Sequence, residues 1–132
     1  MTTAPKITTG QLADILDKAL TVIEARGWHR GYFFDDEQRE EGTPIGECRV
    51  CAVGAINTAV CGYPTLACRE GENFGEIADL AFAAENAVAR HLGATNDPRA
   101  VARWNDELQR TQDDVAQAIR DTAAELRAGE AS

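Results

Sequence analysis

Apolar residues recur every three or four positions along the first segment of the chain, which is the period of an amphipathic α-helix. The repeat consists of Leu12, Ile15, Leu16, Ala19, Val22 and Ile23. Thr8 and Gln11 have the spacing of a capping box, in which each side chain bonds the other residue's backbone N–H. Gly27 follows the repeat and is a common helix terminator. The pattern therefore predicts a helix between Thr8 and Gly27.

Three stretches in the second half of the chain repeat this helical pattern. The first is expected to begin near Asn73 and to end at Gly93. The second begins at Asp97, a good N-cap, with Pro98 in the first helical position. The third begins at Thr111. Their expected inner faces are Ile77, Leu80, Ala81, Ala84, Val88 and His91 in the first, Val101, Trp104 and Leu108 in the second, and Val115, Ile119 and Leu126 in the third.

The segment Cys48–Cys61 has a different pattern, because it is apolar around almost its whole circumference. Its clearly polar residues are Arg49, Asn57 and Thr58. A helix that is apolar on all sides is a buried one. The segment therefore predicts a single helix at the centre of the molecule, ended by Gly62.

Residues 28–47 interrupt the helical patterns. This segment begins with the aromatic residues Trp28, Tyr32, Phe33 and Phe34, which lie in residues 28–34, the aromatic loop. The "GYFF" run is compatible with a short strand or hairpin arm, and "DDEQREEGTP" predicts an exposed loop. The aromatic side chains either anchor this segment to the core or form the wall of a ligand pocket, since long loops on a rigid scaffold often carry function.

These patterns predict an all-α fold. We expect a single compact domain of about five helices around a buried central helix, with one aromatic-rich loop or short hairpin. The length of 132 residues suits one domain. The domain is expected to span residues 8–128, with a disordered N-terminus at residues 1–7 and a frayed C-terminus at residues 129–132.

The charge and hydropathy of the chain exclude several classes of partner. A net charge of −9 argues against a nucleic-acid partner, which requires clustered cations. No stretch approaches the roughly 18 to 20 apolar residues that cross a bilayer, so we expect no membrane partner. The start "MTTAPKITTG" lacks the features of a signal peptide. The protein is therefore expected in the cytoplasm, with reduced thiols.

The four cysteines predict packing rather than metal binding. Cys48 and Cys51 have the spacing of half a zinc site, which Cys61 and Cys68 could nominally complete. In one helix, however, Cys61 would lie roughly 15 to 20 Å from the first pair, far beyond the reach of one ion. A redox disulfide would require a βαβ setting that the chain lacks. We expect no metal and no cofactor, and we interpret the cysteines as small buried apolar residues.

Cys51 has an alternative interpretation as a nucleophile, because it lies near the predicted N-terminus of a helix, where the helix dipole favours a thiolate. Such a thiol needs a base, for which the candidates are His29 and His91. Asn105 or Asp106 could orient that base. His91 lies on an inner helix face, where a hydrogen-bonded core residue is the simpler interpretation.

The "RWND" turn places an indole, an amide and a carboxylate together. Asn105 and Asp106 are unfavourable in a helix, so their presence in succession indicates a specific hydrogen bond. That bond either holds the aromatic loop or contacts a ligand; we favour the structural role. The candidate ligand-binding residues are Trp28, Tyr32, Cys51, Trp104, Asn105 and Asp106.

The motifs "GWHRG", "CAVGAI" and "WND" followed by "RTQDDV" resemble those of an uncharacterised family of small actinobacterial and phage proteins. The motif positions of that family correspond to Trp28, Gly31, Cys51, Gly54, Ala55, Trp104, Asn105 and Asp106. Ile56 replaces the more common leucine, and cysteines 48, 61 and 68 are additional. The resemblance implies a common fold and a common pocket, and it carries no known activity.

The sequence thus favours a small, non-enzymatic, helical binding or regulatory protein, of phage or mobile-element origin. Its partner is expected to be a protein or a small-molecule ligand, held between the aromatic loop and the helices that carry Cys51 and Trp104. A homodimer is compatible with a domain of this size. The alternative is a thiol-dependent hydrolase or transferase that uses Cys51 with His91 or His29.

Overall fold

A computed structural model describes residues 7–65, 74–94, 97 and 99–131. Its helices are α1 (Thr9–Arg26), α2 (Asp36–Glu40), a 3-10 turn (Ile45–Glu47), α3 (Ala52–Cys61), α4 (Phe74–His91), α5 (Ala100–Asp106) and α6 (Gln112–Ala131). The predicted all-α class is confirmed. The predicted cap at Asn73, the predicted helical position at Pro98, Cys68 and residues 1–6 of the predicted disordered N-terminus lie outside the described residues.

Two capping boxes fix where α1 and α6 begin. At α1, the Thr8 Oγ1 accepts a 3.0 Å hydrogen bond from the Gln11 N–H, and the Gln11 Oε1 accepts a 2.8 Å bond from the Thr8 N–H. At α6, Thr111 and Asp114 make the same reciprocal pair at 3.1 and 3.0 Å. The predicted starts of both helices are confirmed, as is the end of α1 at Gly27.

The core forms where α1 packs against α6 and α3. Its fully buried side chains include Leu16 and Ile23 from α1, Ile56 from α3, and Val115 and Ile119 from α6. Helix α3 also contacts α4 and α5, so it lies at the centre of the domain, as predicted. None of the helices in the described ranges has the length and apolar character needed to cross a membrane.

The central segment is not helical from its start, contrary to the prediction. Residues 48–51 are extended, and α3 begins at Ala52. Val50 makes isolated bridges to Trp28 and Phe34 of the aromatic loop, in place of a strand or hairpin arm. The physical reason is that the Val50 N–H and C=O bond the backbone at residues 27 and 29, which a helix would not allow. The prediction of a single helix from residue 48 is therefore wrong.

The acidic segment after the aromatic loop is also more regular than predicted. Asp35 caps the short helix α2 by accepting hydrogen bonds from the backbone N–H groups of Glu37 and Gln38, both at 3.2 Å. The helix has no buried residue, so the segment is exposed as expected. The loop interpretation is wrong for residues 36–40, because an aspartate N-cap satisfies two free donors of a first turn.

The boundaries of the last two helices differ from those predicted. Helix α5 begins at Ala100, because the Asp97 Oδ1 accepts a 2.9 Å bond from the Arg99 N–H in a turn that precedes the helix. Leu108 lies beyond the end of α5 and is 89% exposed, so it does not belong to the inner face of that helix. Helix α6 remains helical to Ala131, past residue 128.

Candidate functional site

Asn105 is the centre of a hydrogen-bond network that joins three separate segments. Its Oδ1 accepts from the Trp28 indole Nε1 at 2.7 Å and from the Ala52 backbone N–H at 3.0 Å. Its Nδ2 donates to the His29 carbonyl at 3.2 Å and to the Asp106 Oδ1 at 3.0 Å. The side chain is fully buried, so its bonds are protected from water. They fix the aromatic loop and the start of α3 against α5.

The neighbouring residues attach the aromatic loop at two more points. The Asp106 Oδ1 accepts a 2.8 Å hydrogen bond from the Gly31 N–H. Gly31 has a φ of 112°, a conformation that favours glycine. The Arg30 guanidinium donates to the carbonyls of Leu108 and Arg110 at 3.2 and 2.7 Å. The loop is therefore tied to α5 and to the turn that follows it.

The backbone of the aromatic loop also lies directly on α3. The Cys51 N–H donates to the Phe33 carbonyl at 3.2 Å. A Cβ at Gly54 would overlap that same carbonyl oxygen, so this close approach requires glycine at position 54. The loop and the first turn of α3 form one packed unit.

This arrangement leaves a cavity of about 380 Å³ between the aromatic loop, α3, α4 and α5. Apolar and aromatic side chains form much of its wall, and they are Tyr32, Phe33, Val53, Phe82 and Ala102. Its polar lining includes Cys51, Asn57, Glu85 and Arg99. Ligand pockets typically combine apolar walls with a few placed polar groups, and this cavity has both.

Asn57 lines this cavity and carries a buried, unpaired acceptor. Its side chain is 3% exposed, and its Nδ2 donates a 2.9 Å hydrogen bond to the Pro64 carbonyl. That bond fixes the orientation of the amide, because a reversed amide would place the Asn57 Oδ1 against the Pro64 carbonyl oxygen, and both atoms are acceptors. The buried Asn57 Oδ1 then has no hydrogen-bond partner within the described part of the chain. Buried polar atoms are normally paired, which marks this oxygen as unusual.

Glu85 brings a carboxyl group to the same cavity from α4. Burial raises its pKa to about 7, because the charged form loses hydration there. Arg99 contributes a guanidinium from the residue before α5. The cavity therefore combines a carboxyl group whose pKa is raised with a guanidinium group.

Cys51 lies on the cavity wall as the N-cap of α3, where its Sγ accepts a 3.3 Å hydrogen bond from the Gly54 N–H. The side chain is buried. Burial raises the pKa of the thiol to about 11, and the hydrogen bonds from the Gly54 and Val53 N–H groups offset only part of that rise. At neutral pH the thiol is protonated, and its sulfur serves as a helix cap.

The two histidines lie elsewhere. The His29 Nδ1 is 3.9 Å from the Asp35 Oδ2, and the ring is half-buried. The His91 Nδ1 is 2.9 Å from the Glu125 Oε1, beside a second cavity of about 410 Å³ between α4, α6 and the start of α1. Neither imidazole lines the cavity that contains Cys51.

The structure separates the six predicted ligand-binding residues into two groups. Tyr32 and Cys51 line the cavity. The other four form the frame that holds the loop and are Trp28, Trp104, Asn105 and Asp106. In this frame Trp104 packs under the Arg110 guanidinium, 4.1 Å from the ring centre.

Four polar cavity residues were not among the predicted site residues: Asn57, Thr65, Glu85 and Arg99. The sequence provides a reason to consider Asn57 as a site residue, because an amide in an otherwise apolar helix needs a hydrogen-bond partner. The sequence provides no such reason for Glu85 and Arg99, since an isolated charged residue is ordinary in an amphipathic helix or a turn. In the described ranges, no group of three or more histidine, cysteine or acidic side chains is placed to hold a metal ion.

The fold and the cavity together define a small all-α protein with a ligand-sized cavity beneath an aromatic loop. Residues 8–125 match the model of a family of unknown function, DUF6197, and the chain belongs to this family. The match extends from the N-cap of α1 into the last third of α6, so it covers all walls of the cavity. No curated protein and no solved structure matches the chain.

Proposed function

We propose that this protein is a non-enzymatic binding or regulatory module that holds a small-molecule ligand in the cavity between the aromatic loop, α3, α4 and α5. The observation that carries the proposal is the cavity itself, with about 380 Å³ of space and a largely apolar wall. Its volume lies within the range of small-molecule sites, near the lower end. The ligand would therefore be a small metabolite.

The hydrogen-bond frame supports this proposal, because a preformed site loses less entropy when a ligand binds. The network around Asn105 secures the aromatic loop from α5, and the contact at Gly54 secures it from α3. The exposed side chains Tyr32 and Phe82, 48% and 53% accessible, supply apolar surface that a ligand can cover. The protonated Cys51 thiol favours binding over nucleophilic chemistry.

The proposal extends to the family motifs and to the setting of the protein. We propose that the W-x-x-G, C-x-x-G-A and W-N-D motifs build this same frame in related proteins. An actinobacterial or phage source is supported by a composition of two lysines against eleven arginines. We propose that the protein acts in the cytoplasm, as a monomer or a homodimer. The cytoplasm keeps thiols reduced, and Cys48 and Cys51 are both buried thiols.

Native mass spectrometry of freshly purified protein, followed by an NMR screen of small fragments, tests the proposal. Ala102 lines the cavity, and Ala102→Phe would fill part of it. Ala124 is exposed on α6, so Ala124→Phe is the matched control. We expect a retained molecule or fragment shifts in the unmodified protein and in the control, and their loss in Ala102→Phe. Binding that Ala102→Phe leaves unchanged would show that the ligand lies elsewhere.

A further inference from the structure

We infer that the cavity selects a small monocation, in which an ammonium group sits between Asn57 and Glu85 and an apolar or aromatic body lies against the cavity wall. This inference rests on the proposed function and names the chemical class of its ligand.

The first step is the Asn57 side chain. Its Nδ2 is committed to the Pro64 carbonyl, so the atom that remains for a ligand is the Oδ1, which only accepts hydrogen bonds. A ligand that satisfies it must therefore carry an N–H or O–H donor. A second acceptor, such as a carboxylate or phosphate oxygen, would be repelled at this position.

The second step is the Glu85 carboxyl, which lines the same cavity from the facing helix α4. No hydrogen bond or ion pair to Glu85 forms within the ranges that the structure describes. Glu85 is partly buried, so its carboxylate loses part of its hydration, and a cation beside it offsets that loss. An ammonium group donates up to three hydrogen bonds, so one such group can serve both an amide oxygen and a carboxylate.

The third step concerns the rest of the wall. Phe33, Phe82 and Tyr32 line the cavity, and aromatic rings attract cations and also accommodate an apolar body. Arg99 is the positively charged side chain of the lining, and it disfavours a ligand with a second positive charge. These features favour a monoamine with one ring or a short apolar chain over a polyamine.

Binding should also move a proton. The titratable groups around Glu85 on the cavity wall are Cys51 from α3, Tyr32 from the aromatic loop and Arg99 before α5. Burial holds the pKa of Glu85 at about 7, and a neighbouring ammonium group would lower it. At pH 7 the bound complex should therefore release roughly half a proton per ligand.

The experiment compares three probes that share a phenyl ring: 2-phenylethylamine, the neutral 2-phenylethanol and the anionic 3-phenylpropanoate. NMR titrations at pH 8 follow the backbone amides of Val53 and Ala102, and calorimetry in two buffers of different ionisation enthalpy counts protons at pH 7. We expect the amine to bind about tenfold more tightly than the alcohol, and the anion to bind more weakly than both.

Two variants assign the preference to Glu85. In Glu85→Gln, which keeps the shape and removes the charge, the amine should bind within about twofold of the alcohol, and proton release should vanish. Glu76→Gln, on the exposed first turn of the same helix, should leave the preference unchanged. The comparison of probes on the unmodified protein remains decisive if Glu85→Gln does not fold.

The outcomes separate this inference from the proposed function. In one outcome, shifts appear at Val53 and Ala102, but the amine and the alcohol bind equally or the anion binds more tightly. That result would overturn the ammonium assignment, and the proposal that the cavity binds a ligand would remain. An absence of shifts with every probe, together with no retained molecule in the native mass spectrum, would overturn both.

Discussion

The indole Nε1 of Trp28 donates a 2.7 Å hydrogen bond to the Oδ1 of Asn105, across 77 positions of the chain. The same oxygen accepts from the first residue of α3, so one buried amide positions both the loop above the cavity and the helix beside it. The shape of the cavity therefore depends on a residue that does not line it.

Replacing Asn105 by alanine should destabilise the protein severely. The change leaves the Trp28 indole N–H and the Ala52 backbone N–H without an acceptor, and we expect a loss of about 3 to 5 kcal/mol. Urea unfolding followed by tryptophan fluorescence measures it. Asn86→Ala, at an exposed position of α4, should change stability by less than about 0.5 kcal/mol. Similar losses in the two variants would contradict the role of the network.

A methyl group at position 54 should force the aromatic loop away from α3. In Gly54→Ala the new Cβ meets the Phe33 carbonyl oxygen, a backbone atom that cannot rotate aside. We expect a loss of about 2 kcal/mol or more in stability, together with loss of fragment binding at the cavity. Gly75→Ala is the control, because a Cβ there meets nothing within 4 Å and a helical alanine is favoured. Thermal unfolding measures the melting temperatures of both variants. An equal fall in Gly54→Ala and Gly75→Ala would refute the prediction.

The partly buried carboxyl of Glu85 should make the protein less stable as the pH rises. Its pKa is about 7 in the folded protein against an ordinary 4.5, so the folded state binds more protons than the unfolded state between these values. The free energy of unfolding should fall by about 2 to 3 kcal/mol across that window, after allowance for partial exposure of the side chain.

Glu85→Gln should remove this pH dependence and should be more stable than the unmodified protein at pH 8. Glu76→Gln should retain it, since Glu76 is exposed. Urea unfolding at pH 5, 6, 7 and 8 distinguishes the two variants. If the free energy of unfolding of Glu85→Gln changes with pH in the same way as that of the parent protein, the pKa of Glu85 is not raised.

The thiol of Cys51 should resist alkylation in the folded protein. With a pKa of about 11 in place of 9.0, its thiolate fraction at pH 7.5 is about 100-fold lower than that of an ordinary cysteine, and burial hinders the reagent further. Iodoacetamide treatment with peptide mapping should detect modification of Cys51 in urea and very little without it. Rapid modification of the native protein would favour the thiol-dependent enzyme over the binding module.

The sequence was sufficient to predict the class of fold and several helix boundaries. Local signals define those features: the Thr8–Gln11 and Thr111–Asp114 spacings create caps that need no distant partner. The continuous apolar surface of α3 likewise identifies it as the central helix, because no exposed orientation would suit it.

The remaining features depend on contacts between distant segments. The start of α3 could not be located, because residues 48–51 bond the aromatic loop instead of continuing the helix. Glu85 could not be assigned to a site, because its neighbours in the cavity come from residues 31–33 and from α3 and α5. The aspartate cap of α2 was visible in the sequence, but the charged composition of the segment favoured a loop.

The position of Asn105 late in the chain has a consequence for the order of folding. The indole of Trp28 and the first amide of α3 lack their acceptor until α5 has docked, after the slow closure of loops of 53 and 77 residues. The cavity of a nascent chain is therefore complete only after α5 has left the ribosome and docked. A ligand of the proposed site would therefore bind the chain only after α5 is in place, and would not bind an earlier folding intermediate.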